Sequence, residues 1–291
     1  MAVLLAEARQ HLHQRMFEID TLAVSQNDTA SNADSSSLQS KAIARTIIDL
    51  IAAQLNLKVH VVSKLSGQTL GKQFEQLIMA FLKDTFPKLQ ALRPGKWTIM
   101  QLGNNNKLKI SDFAQYEHLD YLNKLTSQNS MLAAALGNDY LVAPDIVIYR
   151  DLYTDAELNK HIRVVDAKLG QMAAIRQNNN GKPVLHASVS VKFTMRSDRA
   201  QNSRTEALNL IRNRKGPLPH IVVVTAEPLP SRIASLALGT GDIDCVYHFA
   251  LHELMQAVQT VGTHDSITLL NTLVQGHRLK DISDLPLDLA V

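Results

Sequence analysis

Only one cysteine, Cys245, occurs in the 291 residues, so no internal disulfide can form and a reducing cytoplasm is the expected compartment. No stretch approaches the roughly 20 apolar residues that would span a bilayer. The opening Met-Ala-Val-Leu-Leu-Ala run gives way to charge too soon for a secretion signal, and no membrane role is expected. Internal repeats, coiled-coil heptads and low-complexity tracts are also missing. Nothing resembles a P-loop, a dinucleotide fingerprint, a CxxC zinc site or a nucleophile elbow, which removes the chemistries those motifs carry. His11 and His13, two apart, do not share a helical face and make a poor metal pair.

What is present is a chain with 45% hydrophobic and 20% charged residues, enough apolar content for a sizeable core and too little charge for disorder. Helical periodicity covers about residues 3–18, Leu38–Leu55 and Leu70–Lys83, the last with Phe74, Leu77, Ile78, Phe81 and Leu82 on one stripe. Between the first two lies a polar loop or arm, Ser25–Ser37. A strand at Trp97–Leu102, an Asn-rich turn and a helical region closed by Gly137 follow. Beyond that, strands expected at Tyr140–Tyr149, His161–Val165, Val184–Met195, His220–Thr225 and Ile243–His248 alternate with helices at Arg199–Arg214, Ser231–Leu238 and Leu251–Val261. This is α/β organisation around a mixed sheet. We expect one domain over 1–291, with a helical N-terminal part to about residue 95 and an α/β core from about 96.

Two charges stand out inside apolar strands. Asp145 sits among Leu141, Val142, Ile146, Val147 and Ile148, where an unpaired carboxylate would be costly to desolvate. Lys192 shares one strand face with Ser188 and Ser190, while Val189, Val191 and Phe193 face the other way. A metal-dependent phosphodiesterase site accounts for this pair, and so does a structural salt bridge between neighbouring strands.

The net charge is +3, yet residues 192–215 hold seven basic side chains against two acids, the footprint of a phosphate-binding surface or of a solvated helix face. Within that segment stands Arg196-Ser197-Asp198-Arg199. Arginine forks onto guanine O6 and N7 and aspartate accepts from cytosine N4, so the tetrapeptide carries readers for G·C pairs; alternatively it is a surface cluster with Asp198 capping the helix. On pattern alone Glu206 and Glu75 read equally as helix-face charges.

With Pro144-Asp145, Ser190-Val191-Lys192, Arg196–Arg199 and Glu206 in this order, the chain resembles the CCGG family of type II restriction endonucleases. The likeness extends to Ser31–Asp34, Gly67–Thr69, Leu218–Pro228 and the tail Arg278–Val291. It implies a PD-(D/E)XK nuclease core in which the acid usually two places before the lysine has migrated, leaving Ser190 there and Glu206 in its stead. It assigns Asp145 and Glu206 to Mg²⁺, Lys192 to the attacking water and the scissile phosphate, and Glu75 to the outer acidic site. By the same likeness Arg196, Asp198 and Arg199 read an inner CCGG, Arg232 reads the outer guanine, and Asp34, Ser36 and Gln68 contact the minor groove. One departure is Val191, where the family pattern has cysteine; it lies on the strand face away from Lys192. The implied protein is bacterial and cytoplasmic. Its implied partners are double-stranded DNA containing GCCGGC, cut after the first G to leave a four-base 5′ overhang, and three further copies of itself in a dimer of dimers. Two other readings are a DNA-binding regulator that does not cut and a repair nuclease of the same fold.

Overall fold

A computed structural model describes residues 3–63, 66–102, 109–136, 143–179, 181–195 and 197–291, with residues 136 and 197–200 described by their backbone alone. The helices are α1 (Leu4–Glu18), α2 (Leu38–Leu55), α3 (Gly67–Thr85), α4 (His118–Gln128), α5 (Ser130–Leu136), α6 (Asp155–Leu158), α7 (Ser197–Asn213), α8 (Pro230–Ala237), α9 (Leu251–Val261), α10 (His264–Gln275) and α11 (Leu285–Asp288). The strands are β1 (Val24–Ser25), β2 (Val61–Val62), β3 (Trp97–Gln101), β4 (Ile146–Arg150), β5 (Val184–Lys192), β6 (His220–Thr225), β7 (Cys245–His248) and β8 (Leu279–Asp281).

The chain forms two compact units. The first comprises Met1–Arg93, Val189–Arg204 and Ile221–Val291. Here β5, β6, β7 and β8 are neighbours in that order, and β6, β7 and β8 run parallel with Val222 opposite Cys245 and Val246 opposite Leu279. The consecutive apolar residues Ile221–Val224 are all buried, as a strand covered on both faces requires. Helix α2 begins at Ser37, whose side chain accepts from Ser40 N–H, and ends at Asn56 in the left-handed region, φ 52°. It packs on α9, and α1 packs on α3. The expected stripe on α3 is buried in full. Arg9 of α1 fixes the N-terminus to the rest of this unit: its guanidinium donates to Glu253 of α9 at 3.1 Å and to Asp281 of β8 at 2.9 and 3.0 Å.

The second unit comprises Pro94–Ser188 and Thr205–His220. In it β3 and β4 are antiparallel, Ile99 opposite Ile148, and β4 neighbours β5. Gln115 pairs with Leu185 as a strand residue would, its Nε2 donating to the carbonyl at 2.7 Å and its Oε1 accepting from the N–H at 3.0 Å. Tyr116 donates to the Leu210 carbonyl at 3.0 Å and ties this segment to α7. Parallel and antiparallel pairings coexist, so the sheet is mixed and flanked by helices, the α/β organisation expected from the sequence.

Several elements depart from expectation. No strand forms at His161–Val165: residues 161–164 are exposed, and Asn159 folds the segment back by accepting from the N–H groups of Val164 and Val165 at 2.8 and 2.9 Å. The Val184–Met195 strand stops at Lys192, and β4 begins at Ile146, with 140–142 of its expected start outside the described residues, as is Gly137. Ser188 and Ser190 are buried, so β5 has no solvated polar face. The tail, unreadable from sequence, supplies β8 and α11, where Asp288 accepts from Tyr247 Oη at 2.6 Å and Lys280 Nζ at 2.7 Å. The loop of Ser25–Ser37 is pinned at Asn32, fully buried, whose Nδ2 donates to the Ala226 carbonyl at 2.8 Å.

Candidate functional site

Asp145 stands at the foot of β4 rather than within it. Its carbonyl accepts from Leu102 N–H at 3.2 Å, extending the β3–β4 ladder by one pair, and the residue is half-buried between buried Pro144 and the buried run Ile146–Ile148. The end of an antiparallel pair lets the backbone be satisfied while the carboxylate stays in reach of solvent. In the same unit Glu206 is half-buried on α7, next to buried Ala207.

In the first unit, β5 ends on the expected lysine. The Lys192 carbonyl accepts from Thr225 Oγ1 at 2.8 Å and Ala226 N–H at 3.3 Å, so the strand end is held from β6, and the Lys192 side chain is half-buried. Ser190 faces Ser203 of α7, the two Oγ atoms 3.4 Å apart. Glu75, half-buried on α3, follows Phe74, whose ring lies 5.4 Å from that of Phe193, the residue after Lys192. This ring contact puts the helix bearing Glu75 against the strand end bearing Lys192.

The same unit brings two of the expected site residues, Asp34 and Arg232, to the wall of one cavity of about 650 Å³, which Gly67, Phe193 and Thr194 also line. Arg232, on the first turn of α8, pairs through Nη2 with Asp34 Oδ2. Asp34 Oδ1 accepts from Ser36 Oγ at 2.6 Å and Ser36 N–H at 2.9 Å. Those Ser36 donors, followed by the Arg232 guanidinium, hold the Asp34 carboxyl well below the usual carboxylate range. Ser36 and Gln68 are both exposed, Gln68 beside the wall-forming Gly67 at the start of α3. The side chains of Asp198 and Arg199, and Arg196 entirely, lie outside the described residues, although the backbone of Asp198 and Arg199 is helical in α7.

Part of the basic segment serves structure. Arg204 donates to Asp242 at 2.5 Å and to the carbonyls of Ser235 and Leu238, tying α7 to the end of α8. Arg214 donates to the Ile211 carbonyl at 3.2 Å. The raw count of seven positive charges therefore overstates what is available to phosphate.

One residue that sequence reasoning passed over lies beside the cavity wall. Glu227, 1% exposed, accepts through Oε2 from Met195 N–H at 2.7 Å and through Oε1 from Leu229 N–H at 3.2 Å. Burial pushes its carboxyl up to about 7. An acid placed two residues after the apolar strand His220–Thr225 and just before Pro228 was the available signal.

Among the described residues no group of three or more His, Cys, Asp or Glu gathers as a protein cage for a metal. Asp145 and Glu206 are both half-buried carboxylates of the second unit, oxygen donors of the chemical kind that Mg²⁺, a hard cation that keeps several waters, takes.

Comparison with known proteins identifies the family of the chain. Residues 12–291 match the profile of the family described as NgoMIV restriction enzyme. The chain is 50% identical over 291 residues to the type II restriction enzyme NgoMIV of Neisseria gonorrhoeae, covering 100% of both chains. Among solved structures, Bse634I restriction endonuclease aligns with TM-score 0.38 at 14% identity over 76% of this chain and 86% of that one. The restriction endonuclease PspGI in complex with substrate DNA aligns with TM-score 0.27 at 12% identity, over 99% of this chain and 92% of that one. The chain belongs to the NgoMIV restriction enzyme family and is a type II restriction enzyme, a site-specific deoxyribonuclease.

Proposed function

We propose that this enzyme recognises GCCGGC in double-stranded DNA, cuts after the first G to leave a four-base 5′ overhang, and needs Mg²⁺. The observation that carries the reading is the Arg232–Asp34 pair on the wall of a cavity that also holds Thr194, two residues beyond Lys192, which supports a base reader and a catalytic lysine carried by one unit. In this reading Asp145 and Glu206 hold the metal, Glu206 replacing the carboxylate that Ser190 lacks.

The chemistry is in-line attack by water on a phosphodiester. Mg²⁺, when bound, lowers the pKa of water and neutralises charge on the phosphate. Lys192 holds the attacking water and donates to the non-bridging phosphate oxygens as charge grows on them. Asp145 and Glu206 supply the negative field that fixes the cation, and Glu75 extends it outward. Arg196, Asp198 and Arg199 read the inner CCGG, Arg232 reads the outer guanine, and Asp34, Ser36 and Gln68 follow the minor groove. A twofold dimer matches the palindrome, and two such dimers form the working tetramer. No helix among the described residues is long and apolar enough to cross a membrane, which is compatible with work on DNA in a bacterial cytoplasm.

Incubation of purified protein with plasmid and Mg²⁺ tests the reading. Discrete fragments that disappear on chelation are expected. A smear, end-trimming or metal-independent cutting would overturn it.

A further inference from the structure

Glu227 has no part in the cutting chemistry, yet its placement is that of a strut. Its two carboxylate oxygens accept from two backbone N–H groups that lie 34 positions apart in the chain, Met195 at 2.7 Å and Leu229 at 3.2 Å. Met195 immediately precedes Arg196, where the expected reading segment begins, and Leu229 is the N-cap of α8, which carries Arg232. Glu227 Oε2 also lies 3.8 Å from Arg232 Nη1, while Asp34 takes Nη2 from the other side. Thr225 Oγ1 accepts from the Glu227 N–H at 3.1 Å and donates to the Lys192 carbonyl at 2.8 Å, so the turn bearing the strut is also tied to the end of the catalytic strand.

A carboxylate at 1% exposure is costly to bury, and a core that needed only to be filled would use an apolar residue there. We infer that Glu227 is a positioning residue for base reading, which holds the backbone of Met195, just beyond the end of the Lys192 strand, and that of Leu229, at the start of the helix bearing Arg232, relative to each other by bridging them. The inference rests on the reading of GCCGGC proposed above. Its consequence is specific: loss of the bridge relaxes discrimination at inner and outer base pairs together, whereas loss of one arginine affects the pair that arginine reads.

Competition binding in Ca²⁺, with GCCGGC and duplexes changed at the outer or an inner pair, measures this. Glu227→Gln keeps the shape but offers one acceptor and one donor to two N–H groups; Glu227→Asp keeps the charge but falls short of reaching both. Each is expected to lower the preference for GCCGGC over both changed duplexes by about 10-fold, the scale of a lost hydrogen bond to a charged group, with binding to unrelated DNA within about 2-fold of wild type. A variant that folds and keeps the wild-type preference at either pair overturns the inference. Should neither variant fold, the wild-type protein decides. Among the described residues the charged groups facing Glu227 are Asp34, from the loop before α2, whose carboxyl is held low, and Arg232, from α8. With Glu227 titrating at about 7, the preference should rise from about pH 6 to about 8.5, and a flat profile overturns the inference. Absence of any wild-type preference for GCCGGC would instead refute the proposed target, so the two failures are distinct.

Discussion

Arg232→Ala separates base reading from phosphate binding most sharply. The side chain makes two kinds of contact in the protein alone: an ion pair with Asp34, and a 3.8 Å approach to Glu227, whose side chain is 1% exposed. Against DNA a bidentate arginine–guanine pair contributes about 1 to 3 kcal/mol of discrimination, or about 5- to 150-fold at one base pair. The expected loss therefore falls on the outer G·C pair. In the protein, Asp34 retains its Ser36 donors, but Glu227 loses the nearest cation and its carboxyl rises further above about 7. The variant should accordingly be somewhat less stable above neutral pH, and its folding is checked by thermal unfolding before binding is measured. Competition with single-pair variants of GCCGGC is the assay. Equal loss on every sequence would refute base reading by Arg232 and reduce it to a backbone contact.

Asp145→Ala and Glu206→Ala should each keep specific binding and lose Mg²⁺-dependent cleavage, and binding without metal can tighten because an anion near phosphate is gone; cleavage within a few-fold of wild type by either folded variant would contradict the roles. Glu206→Ser should abolish cleavage and the double exchange with Ser190→Glu should recover part of it, which cleavage rates of the two variants decide. Arg9→Met leaves Glu253 and Asp281 buried without their cation, each 2% exposed, and should cost about 3 to 5 kcal/mol of stability at pH 7 by denaturant titration. Burial opposes ionisation of both acids, but the Arg9 bonds outweigh it and hold both carboxyls low. That stabilisation is present above their unfolded values and is lost as pH falls through the folded ones, so the gap between wild type and variant should narrow below about pH 4.

Periodicity made much of the scaffold legible. The α3 stripe from Phe74 to Leu82 and the apolar strand at His220–Thr225 are local patterns, and both lie where the sequence puts them. His161–Val165 misled because Ile162 and Val164 are exposed and its backbone is turned by Asn159, a side-chain effect that hydropathy does not register. Long-range partners were equally invisible: Arg9 meets Asp281 across 272 positions, and Glu227 meets Met195 across 32. The catalytic assignments came from an ordered set of short motifs. Each motif alone is common, and nothing local in Glu206 or Ser190 distinguishes a migrated acid from an ordinary helix-face charge.

The most direct test of the central claim is to map cut ends. Wild-type enzyme is incubated with Mg²⁺ and a pool of duplexes carrying a randomised six-base window, and both strands of every product are sequenced. The account predicts ends confined to GCCGGC, each strand cut after the first G with a four-base 5′ overhang. Cuts at another sequence, blunt ends or a 3′ overhang would contradict it.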